Sequence, residues 1–235
     1  MTTPVPLLTI ITAVKNPGVS LSDTIDSIEN LAYENLEYIV VDGASVDGTL
    51  QLVDDRRDLV TQYIREPDAG IYDAMNKGWR AASEKGNILF LGAGDRIVNL
   101  PENMQRLNSG CVLYGNVWLG GRHLFRSRAT RQLKFANTLH HQALIIPKRL
   151  HPDPPFNPSY RVYADFDFNQ RLYQRGGCFL FDDKFVSYAL PGGLSRTYSC
   201  ESYRISKRNF GIFWGAVSWL FFGYSRLRGK LRRGL

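Results

Sequence analysis

The chain has 235 residues, 44% hydrophobic and 22% charged, with glycine and proline near average usage, which excludes a disordered or fibrous protein. That length suits one large α/β domain or two small ones. The net charge is +7, but from Ser199 onward eight basic residues face the single acid Glu201, so residues 1–198 balance to zero. A nucleic-acid binder carries its basic stripe on the folded body, so no nucleic-acid partner is expected. Cys111, Cys178 and Cys200 are odd in number and widely spaced, giving no disulfide framework and no zinc spacing, and they favour a reducing, cytoplasmic setting. Met1–Val14 has no positive charge ahead of its apolar run, unlike a secretory leader.

Leu7–Val14 is a continuous β-branched run, suited to a strand buried on both faces. Leu21, Ile25, Ile28 and Leu31 then recur at helical spacing behind Ser20 or Ser22 as a cap. Glu37–Val41 reads as a second buried strand, followed by a short helix over 49–56 and a strand over 60–65. Gly70–Lys85 reads as a helix with Ile71, Met75 and Trp79 on one face, and Asn87–Leu91 as a further buried strand. Such alternation argues βαβ units and a parallel sheet. Beyond Asp95 the rhythm changes. Cys111–Leu119 and Arg122–Phe125 flank a Gly120-Gly121 hairpin turn, His140–Ile146 reads as a strand, His151–Pro158 as a loop, Asp165–Arg175 as a helix and Cys178–Val186 as a strand.

Ligands of open α/β sheets bind beyond the carboxyl ends of the strands. Asp42, Asp68 and Asp95 each follow a predicted strand, so their carboxylates gather along one edge. Clustered like charges need a cation or donor groups, which points to a sugar–nucleotide site, a metal site, or both.

Four ordered motifs, ITAVKN (11–16), IVVDGASVDGT (39–49), REPDAGIYDAMNKG (65–78) and FLGAGD (90–95), resemble family 2 glycosyltransferases, in particular bacterial enzymes of colanic-acid and O-antigen assembly. The likeness runs over roughly residues 6–195. It implies a GT-A fold, a Rossmann-like α/β layer whose mostly parallel sheet is flanked by helices. A nucleotide-sugar half (1–98) joins an acceptor half (99–198), usually with Mg²⁺ or Mn²⁺, followed by a basic, aromatic tail (199–235). The resemblance places Thr12 and Asn16 against the nucleotide, Asp42 on the base, Asp68 in the nucleotide pocket, and Asn76 and Lys77 near ribose and diphosphate. For Lys77 a helix-surface role stays equally open. Asp95 takes the place of the last metal-binding acid, while Ala93 and Gly94 stand where a further acid often sits. One carboxylate with substrate phosphates can suffice for Mg²⁺, and Gly94 permits close approach to the donor.

The resemblance also makes Asp165 the general base, with Ala164 in place of a glutamate. Helix capping is the structural alternative there. His141, Asp167 and Ser195 fall on the acceptor or diphosphate side. A packed, hydrogen-bonded histidine is the alternative for His141, and His123 and His151 supply no zinc spacing.

Phe210–Tyr224 carries no charge and includes two Trp and four Phe. As a helix it reaches roughly 22 Å, short of a roughly 30 Å hydrocarbon core. The basic cluster Arg226, Arg228, Lys230, Arg232 and Arg233 follows it. That pattern suits an in-plane anchor on an anionic membrane surface, with burial in a core or subunit interface as the alternative. The expectation is therefore an inverting transfer from a nucleotide-sugar, with UDP the expected nucleotide, to a polyprenyl-diphosphate-linked saccharide at the inner face of the cytoplasmic membrane. An inactive scaffold of the same fold and a nucleotidyltransferase remain the rivals.

Overall fold

The computed structural model describes residues 4–191 and 200–231. Four strands, β1 (Leu8–Val14), β2 (Leu36–Asp42), β3 (Gln62–Arg65) and β4 (Asn87–Gly92), pair in parallel in the order β3-β2-β1-β4. All of β1 is buried because apolar helices cover both faces, and the strand's period of two deals its side chains between them. Leu8, Ile10 and Val14 meet Leu21, Ile25 and Ile28 of α1 (Ser20–Glu29) and Val53 of α2 (Thr49–Asp54). Ile11 and Ala13 meet Ala74, Met75 and Trp79 of α3 (Ile71–Ala81). Ile71, expected on that buried face, is instead 39% exposed. The serine cap expected for α1 does not form; Val19 takes the position and Ser20 Oγ donates to Pro17 O at 2.6 Å.

The sheet continues past β4 as β8-β6-β9-β5, using β5 (Arg96–Asn99), β6 (Val112–Leu119), β8 (Leu144–Pro147) and β9 (Phe179–Ala189). The expected hairpin joins β6 to β7 (His123–Phe125). β8 is antiparallel to β4 and β6. It begins later than expected, because His141–Ala143 forms a 3₁₀ turn just before it. That turn and α4 (Ala164–Gln174) stand close to the edge where β1, β2 and β4 end.

The cysteine reading is corrected. Cys111 and Cys178 form a disulfide, because parallel pairing of β6 with β9 brings the two strand starts together, with Cα atoms 4.7 Å apart. A separation of 67 residues hides that neighbourhood from the sequence. The cysteines therefore no longer argue for a reducing compartment.

Packing also crosses the boundary expected at 198/199. Ser202, Ile205 and Ser206 of α5 (Glu201–Phe210) are buried, and Gln170 Nε2 donates to Ser206 Oγ at 3.1 Å. After Gly211 the chain turns into α6 (Ile212–Leu231), which leaves Ile212, Phe213, Trp219, Leu220 and Tyr224 exposed. Among the described residues no helix is long and apolar enough to cross a membrane.

Candidate active site

Val14 pairs with Asp42 and Ala13 with Gly92, so the loops after β1, β2 and β4 leave the sheet at one level. Asp42 is fully buried at that edge. A buried carboxylate needs partners. Its Oδ1 accepts from Ser45 N at 2.8 Å, and its Oδ2 accepts from the Tyr63 hydroxyl at 2.6 Å with Arg65 Nε 3.5 Å away. Asn16, at φ +47°, ties the neighbouring loops together: its N–H donates to Ser45 Oγ and its Oδ1 accepts from Val46 N, each at 2.8 Å. Asp68 lies directly against Gly43, where a Cβ would stand 2.1 Å from Asp68 Oδ2, so a side chain there would displace this carboxylate from beside the end of β2. Asp42, Asp68 and Asn16 thus converge at one corner of the sheet. Tyr63, Arg65 and Gly43 belong to the same corner but were not singled out in the sequence, since nothing in their spacing sets them apart.

Three expectations, those for Thr12, Asn76 and Asp167, are corrected. Thr12 is fully buried within β1, and its hydroxyl accepts from Tyr38 OH at 3.2 Å, so it presents no surface to a nucleotide. Asn76 uses both amide atoms on the Phe156 backbone, at 2.8 and 3.0 Å, and clamps α3 to the proline-rich loop. Lys77 Nζ donates to Pro67 O at 2.6 Å and pairs with Glu66 at 2.9 Å, which braces the loop carrying Asp68. Asp167 is buried between Arg171 Nε at 2.8 Å and Asn209 Nδ2 at 3.1 Å, facing α5 and not an acceptor. Ser195 lies outside the described residues.

Asp95 closes β4 after a tight turn. Gly94, at φ +90°, donates to Thr24 Oγ1 at 2.8 Å, and a Cβ on it would come within 2.5 Å of Leu190. Asp95 Oδ2 accepts from Gly92 N at 2.8 Å and from Gln142 Nε2 at 3.1 Å, while Oδ1 accepts from Leu190 N at 2.9 Å. Burial pushes this carboxyl upward against the pull of the nearby His141.

Asp165, in the first turn of α4, keeps 14% of its side chain exposed. Its Oδ1 accepts from Phe166 N at 2.8 Å and faces Tyr72 OH at 3.4 Å. Its Oδ2 accepts from Asn137 Nδ2 at 3.1 Å and stands 3.8 Å from His141 Nδ1. Burial raises its pKa, but His141, His140 and the Phe166 N–H outweigh that and hold the carboxyl below the usual range. His141 therefore reaches Asp165 while the next residue, Gln142, reaches Asp95. One 3₁₀ turn thus links the two acids.

Among the described residues no three His, Cys, Asp or Glu side chains gather as a metal cage. Beside Asp95, however, Gln142 Oε1 is buried, and the Gln142 side chain also meets the His140 ring. One carboxylate and one amide oxygen fit Mg²⁺ or Mn²⁺ as part of a shell that substrate phosphates and water would complete.

Residues 9–98 match the family model for glycosyl transferase family 2, a span that holds Asp42, Asp68 and Asp95 and stops short of Asp165. A "PGL/p-HBAD biosynthesis glycosyltransferase" of Mycobacterium bovis is 30% identical over 213 residues, covering 82% of this chain and 80% of that protein. Among solved structures, S. aureus TarS 1-349 in complex with UDP-GlcNAc matches 86% of this chain and 66% of its own at TM-score 0.66 and 19% identity. The chain spans 39% of the longer TarS chain. The mannosyltransferase PcManGT of Pyrobaculum calidifontis, in complex with GDP-Man and Mn²⁺, matches 88% of this chain and 62% of its own at TM-score 0.56 and 18% identity. These two structures share the GT-A fold expected from the motifs, and neither name carries the colanic-acid or O-antigen likeness. With the family model and the mycobacterial relative in agreement over this geometry, the chain belongs to glycosyl transferase family 2.

Proposed function

We propose that this glycosyltransferase moves one sugar, with inversion, from a UDP-sugar to a polyprenyl-diphosphate-linked saccharide of bacterial surface polysaccharide assembly. The observation that carries the reading is the joining of Asp95 to Asp165 through His141-Gln142. Asp42 and Asp68 hold the nucleoside side. Asp165, kept ionised by its neighbours, takes the proton from the acceptor hydroxyl as that oxygen attacks the anomeric carbon opposite the leaving nucleotide. General-base help of this kind is worth about 10²–10⁴ in rate. Asp95 and Gln142 Oε1 would hold the divalent ion, which neutralises charge on the departing diphosphate when bound. His141 stands where it can donate to the diphosphate or the acceptor.

The membrane part of the reading rests on α6. Ile212, Phe213, Trp219, Leu220 and Tyr224 are exposed on α6, and the sequence after Tyr224 is basic, which suits a peripheral position on the anionic inner face of the cytoplasmic membrane. The site is tested by thermal shift with UDP, GDP, dTDP and their sugar conjugates, with and without Mn²⁺, on wild type and Asp95→Ala. A metal-dependent shift with UDP compounds that the substitution removes is the expected result. A folded protein that answers to no nucleotide would turn the reading toward an inactive scaffold.

A further inference from the structure

Glu201 is the one acid in an otherwise basic segment, and it stands at the first residue of α5. Its carboxylate collects three backbone donors. Oε1 accepts from Arg161 N at 2.9 Å, and Oε2 accepts from Val162 N at 3.0 Å and Tyr163 N at 3.1 Å. These N–H groups lie immediately before α4, where a helix start leaves donors without intrahelical partners. Tyr163, at the cap position, makes no side-chain capping bond to the start of α4. The opposite side of the same segment is held by α3, since Tyr72 OH donates to Val162 O at 2.8 Å and faces Asp165 Oδ1 at 3.4 Å. One turn further along α5, Ile205 is fully buried in the same core cluster as Tyr163 and Phe166, so Glu201 is delivered by a packed helix and not by a loose tail.

We infer that Glu201 is a positioning residue for Asp165: by fixing the backbone of residues 161–163 it sets where the carboxylate points. This rests on the reading of Asp165 as the base. The α5–α6 pair is then part of the catalytic unit, and whatever α6 docks against acts on the same rigid body that aims the base. An isosteric amide cannot substitute for the carboxylate, because it has one acceptor oxygen to offer and would set an NH₂ group against backbone N–H donors.

The test uses the full chain, with UDP release from UDP-GlcNAc, UDP-glucose and UDP-galactose measured with Mn²⁺ and bacterial lipid-extract vesicles. Glu201→Gln should lower kcat by about tenfold to a hundredfold, the scale of a small misplacement of a catalytic group, with the KM for donor unchanged. Loosening the contacts that keep Asp165 ionised should also move the acid limb of the rate profile upward by about half a pH unit or more. A loss of structure alone would not shift that limb. Glu201→Asp, one methylene short but still charged, should show the same split and serves if the amide variant does not fold. In the wild type, the amides of residues 161–163 should exchange slowly with solvent. Unchanged kcat and pH profile in a folded variant, or fast exchange at 161–163, would overturn the inference. Asp165→Asn run beside it separates the two ideas: retained turnover there removes the base reading itself, whereas an inactive Asp165→Asn with an unaffected Glu201→Gln removes only the positioning role.

Discussion

Asn137 donates from Nδ2 to Asp165 Oδ2 at 3.1 Å, and it cannot turn its amide over, because Asn169 Nδ2 donates to Asn137 Oδ1 at 2.9 Å. Asn169 is itself fixed by a second bond to Leu139 O at 3.0 Å. A carboxylate facing an oriented donor is favoured in its ionised form. Asn137→Leu should therefore raise the Asp165 pKa and lower kcat by about tenfold at the acid end of the profile, with less effect above neutrality. A pH–rate series on the two proteins checks this, and parallel profiles would count against the relay.

Asp165→Asn keeps the shape of the side chain but cannot take a proton. Transfer should fall by about 10²–10⁴ while donor affinity, read by titration with UDP, stays within about twofold. The acid limb of the wild-type rate profile should lie below the usual carboxylate range, since His141, His140 and the Phe166 N–H hold Asp165 there against burial. Equal loss of binding and turnover in the variant would remove Asp165 from the chemistry.

Gln142 offers a sharper test of the metal arrangement than Asp95, whose substitution also breaks bonds to Gly92 and Leu190. Gln142→Leu removes the amide oxygen and the bond to Asp95 together. The Mn²⁺ concentration for half-maximal activity should rise about tenfold, with nucleotide binding without metal unchanged. An unchanged Mn²⁺ requirement would leave Gln142 a structural residue.

The parallel half of the fold was legible because its signals are local: β-branched runs for buried strands, helical spacing between them, and an acid where each strand ends. Asp42, Asp68 and Asp95 come with those signals, whereas Asp165, at the start of a helix, was named from the family resemblance and by spacing alone reads as a cap. Thr12, Asn76 and Asp167 stand inside the same motifs, yet their partners are Tyr38, the Phe156 backbone and Arg171 with Asn209. A motif records that a residue type is needed and not whether a ligand or the protein itself meets the need. β5 was missed because four residues with only Ile97 buried give almost no period. The Cys111–Cys178 bridge and the Glu201 contact arise from pairings 67 and about 40 residues apart, where no spacing rule reaches.

Acid stability follows from His151. It is 7% exposed, its Nδ1 lies 3.2 Å from Pro147 O, and rings of Trp79, Phe90 and Phe168 surround it. Burial drives its pKa from 6.5 down to about 4. Between those values the unfolded chain binds the proton and the folded chain does not, so stability rises with pH across the window. The contribution is fully present above pH 6.5 and is lost as pH falls toward 4, by about 3 kcal/mol in all. Denaturant unfolding at several pH values should show this slope, and His151→Phe should reduce it, leaving the share of His140, which burial also lowers to about 4.

Membrane docking is tested on the surface of α6, because removing the helix would also strip Phe222 from its contacts with Tyr163 and Phe166 and Trp214 from its stack on Phe135. Phe213, Trp219 and Leu220 are 67%, 54% and 62% exposed, so replacing them with serine costs the fold little. Each large side chain buried in a lipid interface is worth about 1.5–3 kcal/mol, and three together should change the partition coefficient by at least a hundredfold. The triple variant should stay in the supernatant when spun with phosphatidylglycerol vesicles that carry the wild type down, with its melting temperature unchanged. If it still pelleted, the exposed face would belong to another partner, and the basic residues after Tyr224 would be the next to change.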